Sequence, residues 1–305
     1  MLSILIPAYN YNVYPLVSEL HDQCLECNID FEIIVIDDCS SVFFSENKKI
    51  NQLSNSFYKI LESNIGRSKI RNLLSQEASY KWLLFLDADV FPKNKNFISS
   101  YFNHTKNDIE IVNGGLLYQN KKPEKRKVLR WLYGKNREAL NYRIRMKNPY
   151  LSFLTLNFLI HQSVFKKVSF NENIPNLRHE DTLFSYNLMQ EKIKIEHIDN
   201  PIYHYGLDDF QVAIKKENES LFALKYLIDN RLLPADYVRI SKLLSKIKQL
   251  QLITIFVFFY KITCSVFIKN LQSNNPSLFI FDLYRLGYLC QLETDKYVSN
   301  FEKYN

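Results

Sequence analysis

Residues 82–92 read WLLFLDADVFP, an apolar run followed by two closely spaced carboxylates. The run Trp82–Leu86 is short and uniformly apolar, which predicts a strand buried in a parallel sheet. We expect Pro92 to stop this strand. Ligands of open α/β sheets bind at the carboxyl ends of strands, so Asp87 and Asp89 are candidates for a ligand site. Two carboxylates there favour a divalent metal that carries phosphate groups, although Asp-x-Asp alone also fits a solvated turn.

The composition indicates a globular chain with a sizeable core. The 305 residues are 47% apolar and 14% aromatic, with only 6 glycines, which excludes a disordered protein and allows one large domain with an extension or two small domains. The five cysteines are scattered, and the Cys24/Cys27 pair has no second pair at zinc spacing, so a reducing cytoplasm fits best. The amino-terminal MLSILIPAYN lacks the features of a signal peptide.

Apolar runs alternate with helix-like segments over the first two-thirds of the chain, which predicts βαβ units on a mostly parallel sheet. After Asp208 the pattern becomes helical. The predicted strands are 2–6, 31–36, 57–61 and Trp82–Leu86, with further candidates at 109–118, 153–161 and 193–204. One predicted helix follows the first strand and ends near Cys27, and two more cover 70–78 and 179–190.

Six groups of polar residues follow these apolar runs or open a helix, and together they strongly resemble glycosyltransferase family 2. The motifs cover residues 1 to about 206. They are SILIPAYN at 3–10, EIIVIDDCS at 32–40, NIGRSKIRN at 64–72, FLDAD at 85–89, HEDTLF at 179–184 and HYG at 204–206. The resemblance implies the GT-A fold, an α/β fold with a mostly parallel, Rossmann-like sheet flanked by helices. It also implies transfer of a hexosyl or N-acetylhexosaminyl group from a nucleotide sugar to an acceptor hydroxyl.

The resemblance implies roles for the donor-binding residues. Asp38 matches the carboxylate that accepts from the imide N–H of the base, which favours a UDP-sugar. Asp87 matches the residue that holds the ribose hydroxyls. The remaining donor-binding candidates are the backbone around Pro7 and Tyr9 at the base, Gly66 for close backbone approach, and Arg67 and Arg71 at the base, ribose or phosphates.

The resemblance also implies a metal site, a base and an inverting reaction. Asp89 and His204 match the ligands of a divalent Mn²⁺ or Mg²⁺, with His197 as the competing histidine. Asp181 matches the general base, and Glu180 is expected to orient the acceptor or share that task. The alternative is that both acids only stabilise a helix amino terminus. One base and direct displacement predict inversion at the anomeric carbon.

Two further segments leave their functions open. Residues 121–147 hold eleven Lys or Arg against two Glu. The favoured interpretation is a border of the active site that attracts an anionic ligand. The alternatives are a solvated helical face and, least favoured, a nucleic-acid contact. The apolar run in the tail after Asp208 fits packing on the catalytic domain or in a homodimer, interfacial membrane attachment, or a membrane span.

We therefore expect a catalytic domain at 1–207, with a nucleotide-sugar part at 1–118 and an acceptor part at 119–207, and a helical extension at 208–305. The expected partners are a nucleotide-sugar donor and a saccharide or glycolipid acceptor of surface polysaccharide, lipopolysaccharide or glycolipid synthesis, without nucleic acid. The expected location is the cytoplasm, with contact to the inner face of the cell membrane left open. The alternatives are a sugar nucleotidyltransferase and a catalytically silent sugar-nucleotide-binding scaffold.

Overall fold

The computed structural model describes residues 1–105 and 109–294. The chain forms two compact units that interleave along the sequence. The first unit holds Met1–Gln119, Arg137–Glu172 and Glu180–Gly206. The second unit holds Asn120–Asn136, Asn173–His179 and the chain from Leu207. The expected domain division at residue 207 stays a prediction.

A seven-stranded sheet is the centre of the first unit, with the strand order β3-β2-β1-β4-β8-β6-β9. All adjacent pairs are parallel except the two that β8 makes with β4 and β6, so the predicted mostly parallel sheet is confirmed. The strands are β1 (Leu2–Ala8), β2 (Phe31–Asp37), β3 (Ser56–Ile60), β4 (Trp82–Leu86), β6 (Ile111–Asn113), β8 (Asn157–His161) and β9 (Ile195–His197).

Strand β1 runs through Pro7 and ends at Ala8, two residues beyond the predicted end. Its register with β4 ends at Leu5, whereas its register with β2 continues to Ala8. The missing N–H of Pro7 therefore lies beyond the part of β1 that pairs with β4, which makes the proline tolerable in a central strand. This extension carries the polar residues after β1 to the same sheet edge as those after β2.

Helices flank this sheet, and their apolar faces build its core. Phe85 of β4 stacks on Phe158 of β8 with ring centroids 4.9 Å apart, and Phe170 stacks on Phe184 at 4.4 Å. These buried aromatic rings fix the position of the helix that carries Phe184. The helices are α1 (Tyr14–Glu26), α2 (Phe44–Lys48), α3 (Arg67–Glu77), α4 (Phe97–His104), α6 (Tyr142–Arg145), α7 (Gln162–Lys167) and α8 (Glu180–Gln190), with a 3₁₀ turn at Lys49–Gln52.

A second, three-stranded sheet has the order β5-β10-β7 and was not predicted as a separate element. Its strands are β5 (Val90–Pro92), β7 (Leu116–Leu117) and β10 (Ile202–His204). Pro92 therefore ends a separate short strand rather than the strand of residues 82–86. The candidate strand segment 193–204 is divided between the two sheets, because β9 belongs to the large sheet and β10 to the small one.

The second unit is helical, and it confirms the expected carboxyl-terminal helices. Its helices are α5 (Val128–Tyr133), α9 (Phe210–Asp229), α10 (Arg239–Gln249), α11 (Ile253–Leu271) and α12 (Leu278–Thr294), with a 3₁₀ turn at Lys125–Lys127 and a π-helical turn at Gly134–Glu138 across the unit boundary. A Cβ atom at Gly287 would collide with the Tyr260 ring, so glycine allows α11 and α12 to approach closely. Within the described residues, α11 alone is long and apolar enough to cross a membrane, by length and composition only.

The basic segment 121–147 is not one surface. Its first part forms α5, whose Leu129 is buried in a cluster of the second unit. Arg145 is buried in the first unit, where its guanidinium donates to the Asn113 side chain at 2.7 Å and to the carbonyl of Ile198 at 2.7 Å. Burial lowers the pKa of Arg145 to about 10. Arg145 therefore stabilises the core of the first unit, and including it in the charge of a basic surface was wrong.

Candidate active site

The loops after β2 and β3 meet through Asp38. Its carboxylate accepts from the backbone N–H of Ile65 at 2.7 Å and of Gly66 at 3.0 Å. Burial raises the pKa of Asp38, while these two N–H donors lower it. Gly66 has a φ of +85°, a conformation that glycine adopts without strain, and it immediately precedes α3. Asp38 therefore fixes the loop that starts α3, and each of its oxygens retains a second lone pair for a ligand.

The other donor-binding candidates lie at the same loops. Tyr9 is exposed after β1, and its neighbour Asn10 accepts from the N–H of Ser41 at 2.8 Å, which ties the loop after β1 to the loop after β2. Arg67 is exposed at the first turn of α3. Pro7 pairs with Ile36 inside the sheet.

Arg71 joins the two acidic motifs that the sequence placed 93 residues apart. Its Nη2 donates to Asp87 Oδ1 at 2.9 Å, and its Nη1 donates to Glu180 Oε1 at 3.3 Å. Its side chain is 6% exposed and lies over the Phe170 ring, 5.4 Å from the centroid. Burial by itself lowers the pKa of Arg71, but the carboxylates of Asp87 and Glu180 outweigh burial and raise it. Arg71 is therefore a permanent cation between the carboxyl end of β4 and the amino terminus of α8.

Asp181 is beside this ion-pair group, in the first turn of α8. Its Oδ1 accepts from the backbone N–H of Thr182 at 2.7 Å. Burial and the neighbouring Glu180 carboxylate raise the pKa of Asp181 to about 6, against the lowering effects of Thr182 and Arg71. A carboxylate with a pKa near neutrality is suited to accept a proton at physiological pH. This environment fits the role of general base that the resemblance implies for Asp181.

The small sheet brings Asp89 and His204 together. Strands β5 and β10 are antiparallel, with His204 opposite Val90, and the Tyr205 N–H donates to the Asp89 carbonyl at 2.8 Å. His204 Nε2 lies 3.4 Å from Asp89 Oδ2. Backbone pairing between the two strands therefore holds this imidazole and this carboxylate side by side.

The side chains at this position fit the divalent metal that the resemblance implies. Imidazole nitrogen and carboxylate oxygen are both ligands of Mn²⁺, and the nitrogen of His204 that faces Asp89 is Nε2. A Cβ atom at Gly206 would collide with Asp89 Oδ2, so glycine makes room for the carboxylate. No group of three or more His, Cys, Asp and Glu that could hold a metal occurs among the described residues, so a metal here would also need the phosphates of a ligand.

His197, the competing histidine, is committed elsewhere. Its Nδ1 accepts from Arg145 Nη1 at 2.9 Å, and its Nε2 donates to the carbonyl of Pro149 at 2.9 Å. Burial lowers the pKa of His197 to about 4, which keeps the ring neutral at physiological pH. With both nitrogens occupied, His197 is a structural residue.

Sequence reasoning missed two aromatic residues near the Asp89–His204 pair. Burial, followed by the charge of Asp89, raises the pKa of Tyr11. The Tyr118 ring lies 5.4 Å from the His204 ring between centroids, and the Tyr118 hydroxyl donates to Glu138. Tyr11 comes directly after the PAYN motif, which was the one available signal. Tyr118 had none, because its contact depends on the small sheet.

Comparisons with known proteins identify the family of this chain. The family model described as glycosyl transferase family 2 matches residues 3–170, and the chain belongs to that family. An uncharacterized glycosyltransferase of Rickettsia conorii is 29% identical over 140 residues, which cover 40% of this chain and 23% of the relative, so the chain spans about a quarter of that relative's length.

A solved glycosyltransferase structure shows the same fold at low identity. The mannosyltransferase PcManGT of Pyrobaculum calidifontis, in complex with GDP-Man and Mn²⁺, matches with a TM-score of 0.51 and 11% identity over 75% of this chain and 64% of that chain. S. aureus TarS 1–349, in complex with UDP-GlcNAc, matches with a TM-score of 0.48 and 18% identity over 97% of this chain and 93% of that chain. The expected GT-A fold is confirmed.

Proposed function

We propose that this chain transfers a sugar from a UDP-sugar to an acceptor hydroxyl with inversion, and that Asp181 is the general base. The observation that supports this most is the buried contact of Arg71 with Asp87 and Glu180. It joins the carboxylate expected at the donor ribose to the acids expected at the acceptor. A donor-binding group and a proton acceptor are the two parts that direct glycosyl transfer requires.

In the proposed reaction the donor lies along the loops after β1, β2 and β4. Asp38 accepts from the imide N–H of uracil, and the backbone around Pro7 and Tyr9 forms the rest of the base pocket. Gly66 lets the backbone approach the donor closely, and Arg67 contributes positive charge near the base, ribose or phosphates. Asp87 accepts from the ribose hydroxyls, and Arg71 holds its carboxylate in place. This assigns Arg71 to positioning Asp87 and Glu180 in addition to the direct donor contact that the sequence suggested.

Asp89 and His204 are the residues that would hold a divalent Mn²⁺ or Mg²⁺. When bound, the metal neutralises the charge that develops on the leaving diphosphate. Gly206 keeps the space into which the Asp89 carboxylate projects. His204 is held against Asp89 by the pairing of β5 and β10, so little reorganisation is needed on binding.

Asp181 accepts the proton of the acceptor hydroxyl as that oxygen attacks the anomeric carbon. Its Oδ1 is held by Thr182, which leaves Oδ2 for the proton. Glu180 is held by Arg71 and orients the acceptor. Because one base serves one direct displacement, an α-linked donor gives a β-linked product. The transferred group is a hexose or N-acetylhexosamine, and the product class is a surface polysaccharide, lipopolysaccharide or glycolipid.

The test is a panel of UDP-, GDP- and dTDP-sugars in a thermal-shift assay with and without Mn²⁺, followed by turnover with the selected donor. A ligand at 100 times its dissociation constant stabilises a protein by about 2.7 kcal/mol, which such an assay detects. Release of UDP with saccharide or glycolipid acceptors, and a product of inverted anomeric configuration by NMR, is expected. Pyrophosphate release from UTP and a sugar 1-phosphate would instead indicate a nucleotidyltransferase. Donor binding without turnover on any acceptor would support the silent scaffold.

A further inference from the structure

One face of α11 is apolar and exposed although the helix also has a buried apolar face. The exposed residues are between 49% and 67% exposed, and the helix buries Val257, Tyr260, Phe267 and Leu271. At 100° per residue, the exposed set falls within an arc of about 100° opposite the buried set and extends over about 16 Å. This exposed face, which we name the α11 face, consists of Ile255, Phe258, Phe259, Ile262 and Val266.

The stretch of sequence that contains the α11 face carries charge of one sign. Residues 237–281 contain six Lys or Arg and no Asp or Glu. Lys248 is paired with Glu293 at 2.6 Å. The remaining cations are exposed and take part in no ion pair within the part of the chain that the structure describes; they are Arg239, Lys242, Lys246, Lys261 and Lys269. Lys269 lies at the carboxyl-terminal end of the α11 face, and Lys261 is on its flank.

We propose that the α11 face binds the surface of a bilayer that contains anionic lipid, with the helix lying in the interface. An exposed apolar face bordered by Lys is the arrangement that partitions into the boundary between headgroups and acyl chains. The lysines are attracted to the negative headgroups, and each contributes about a fivefold increase in affinity. Polar residues on the flank of the helix, such as Thr254 and Ser265, are exposed and remain in contact with water.

Two other partners fit the same face less well. In a symmetric dimer the same patch faces itself, and a patch with lysines and no carboxylates repels its copy. In a membrane span, Lys261 would lie near the centre of the bilayer, where its insertion is unfavourable. A span would also remove Tyr260 and Phe267 from the cluster they share with Phe281 and Tyr284 of α12.

The test is sedimentation of the purified chain with vesicles of neutral phosphatidylcholine alone or with phosphatidylserine, without any nucleotide sugar. It is independent of the proposed reaction, so its failure and that of the glycosyltransferase assignment are distinguishable. We expect binding only to the anionic vesicles and weaker binding at high salt. The double variant Phe258→Ser/Ile262→Ser should reduce affinity about tenfold or more, because both side chains enter the interface.

Matched control variants distinguish binding by the α11 face from non-specific binding of the protein to vesicles. Leu25→Ser/Phe57→Ser removes two apolar side chains of similar exposure in the first unit and should leave binding unchanged. Lys261→Gln/Lys269→Gln should reduce affinity about 25-fold, whereas Lys81→Gln/Lys194→Gln should have no effect. Circular dichroism and thermal unfolding verify that each variant is folded.

Three results would overturn the proposal. The first is equal binding to neutral and anionic vesicles. The second is unchanged binding of folded Phe258→Ser/Ile262→Ser. The third is a dimer by light scattering that this variant converts to a monomer, with no vesicle binding by the wild type, which would assign the face to a second copy.

Discussion

Asp87 and Asp89 are only two residues apart in the first unit, yet the fold surrounds their carboxylates with different partners. Asp87, with Glu180, is paired with the buried guanidinium of Arg71, a cation that is always present. Asp89 lies beside His204, and an imidazole side chain is a common metal ligand in proteins. The protein itself preorganises the first group, whereas we expect the second group to be completed by a bound metal and its ligand.

The largest expected effect concerns Asp181, the proposed base, which lies beside the group that Arg71 compensates. Asp181→Asn keeps the shape of the side chain but cannot accept the proton, so turnover should fall about 10²–10⁴-fold while donor affinity stays nearly unchanged. Steady-state kinetics and donor titration measure the two quantities. Glu180→Gln is the control and should act mainly on acceptor KM. If Asp181→Asn retained turnover and Glu180→Gln lost it, the two roles would be exchanged.

The next largest effect concerns the cation itself. Arg71→Met leaves Asp87 and Glu180 without their counter-charge, and breaking a buried ion pair in this way should cost about 3 kcal/mol of unfolding free energy. Chemical denaturation measures the change. Arg67→Met, on the exposed first turn of the same helix, should cost less than about 0.5 kcal/mol. Equal costs for the two variants would show that Arg71 does not organise the acidic group.

A smaller effect is expected at the group beside His204. In Gly206→Ala the new methyl group would occupy the space of the Asp89 carboxylate, so the carboxylate must move. Metal-dependent donor affinity should fall about tenfold, or about 1.4 kcal/mol. Isothermal titration with UDP and Mn²⁺ measures this. Gly134→Ala, in the π-helical turn, is the control; an unchanged affinity in Gly206→Ala would mean that this carboxylate is not a ligand.

The smallest effect is a pH-dependent stability. The pKa of Asp181 is raised to about 6 in the folded chain, against about 3.9 in an unfolded one, so the folded state holds its proton more tightly. Ionisation therefore destabilises the fold as pH rises from about 4 to above 6. Asp181→Asn should be more stable than wild type at pH 7.5, with no difference near pH 4. Thermal unfolding against pH measures this, with exposed Asp30→Asn as control; a pH-independent difference would contradict the raised pKa.

The sequence predicted much of the first unit because its signals are local. Trp82–Leu86 was predicted as a strand by uniform apolarity, and the structure has the same bounds. The predicted helix at 179–190 starts one residue later, at Glu180. These features depend on neighbouring residues, which a pattern records directly.

Other features depend on residues far apart in the chain and left no local pattern. Arg71 and Glu180 are 109 positions apart, so their ion pair could not be read from spacing. Arg145 looked like one cation of a basic surface because its acceptors, the carbonyls of Gly114 and Ile198, carry no sequence signature. The roles of Asp181, Asp89 and His204 rest on the resemblance and remain predictions.

The most direct test of the central claim compares UDP binding by wild type and Asp89→Ala in Mn²⁺ and in excess EDTA, by isothermal titration. We predict that wild type binds UDP tightly only with Mn²⁺ and that Asp89→Ala loses this metal dependence. His204→Ala should keep part of it, because one protein ligand and the diphosphate remain. Equal UDP affinity of wild type in Mn²⁺ and in EDTA would contradict a metal site at Asp89 and His204.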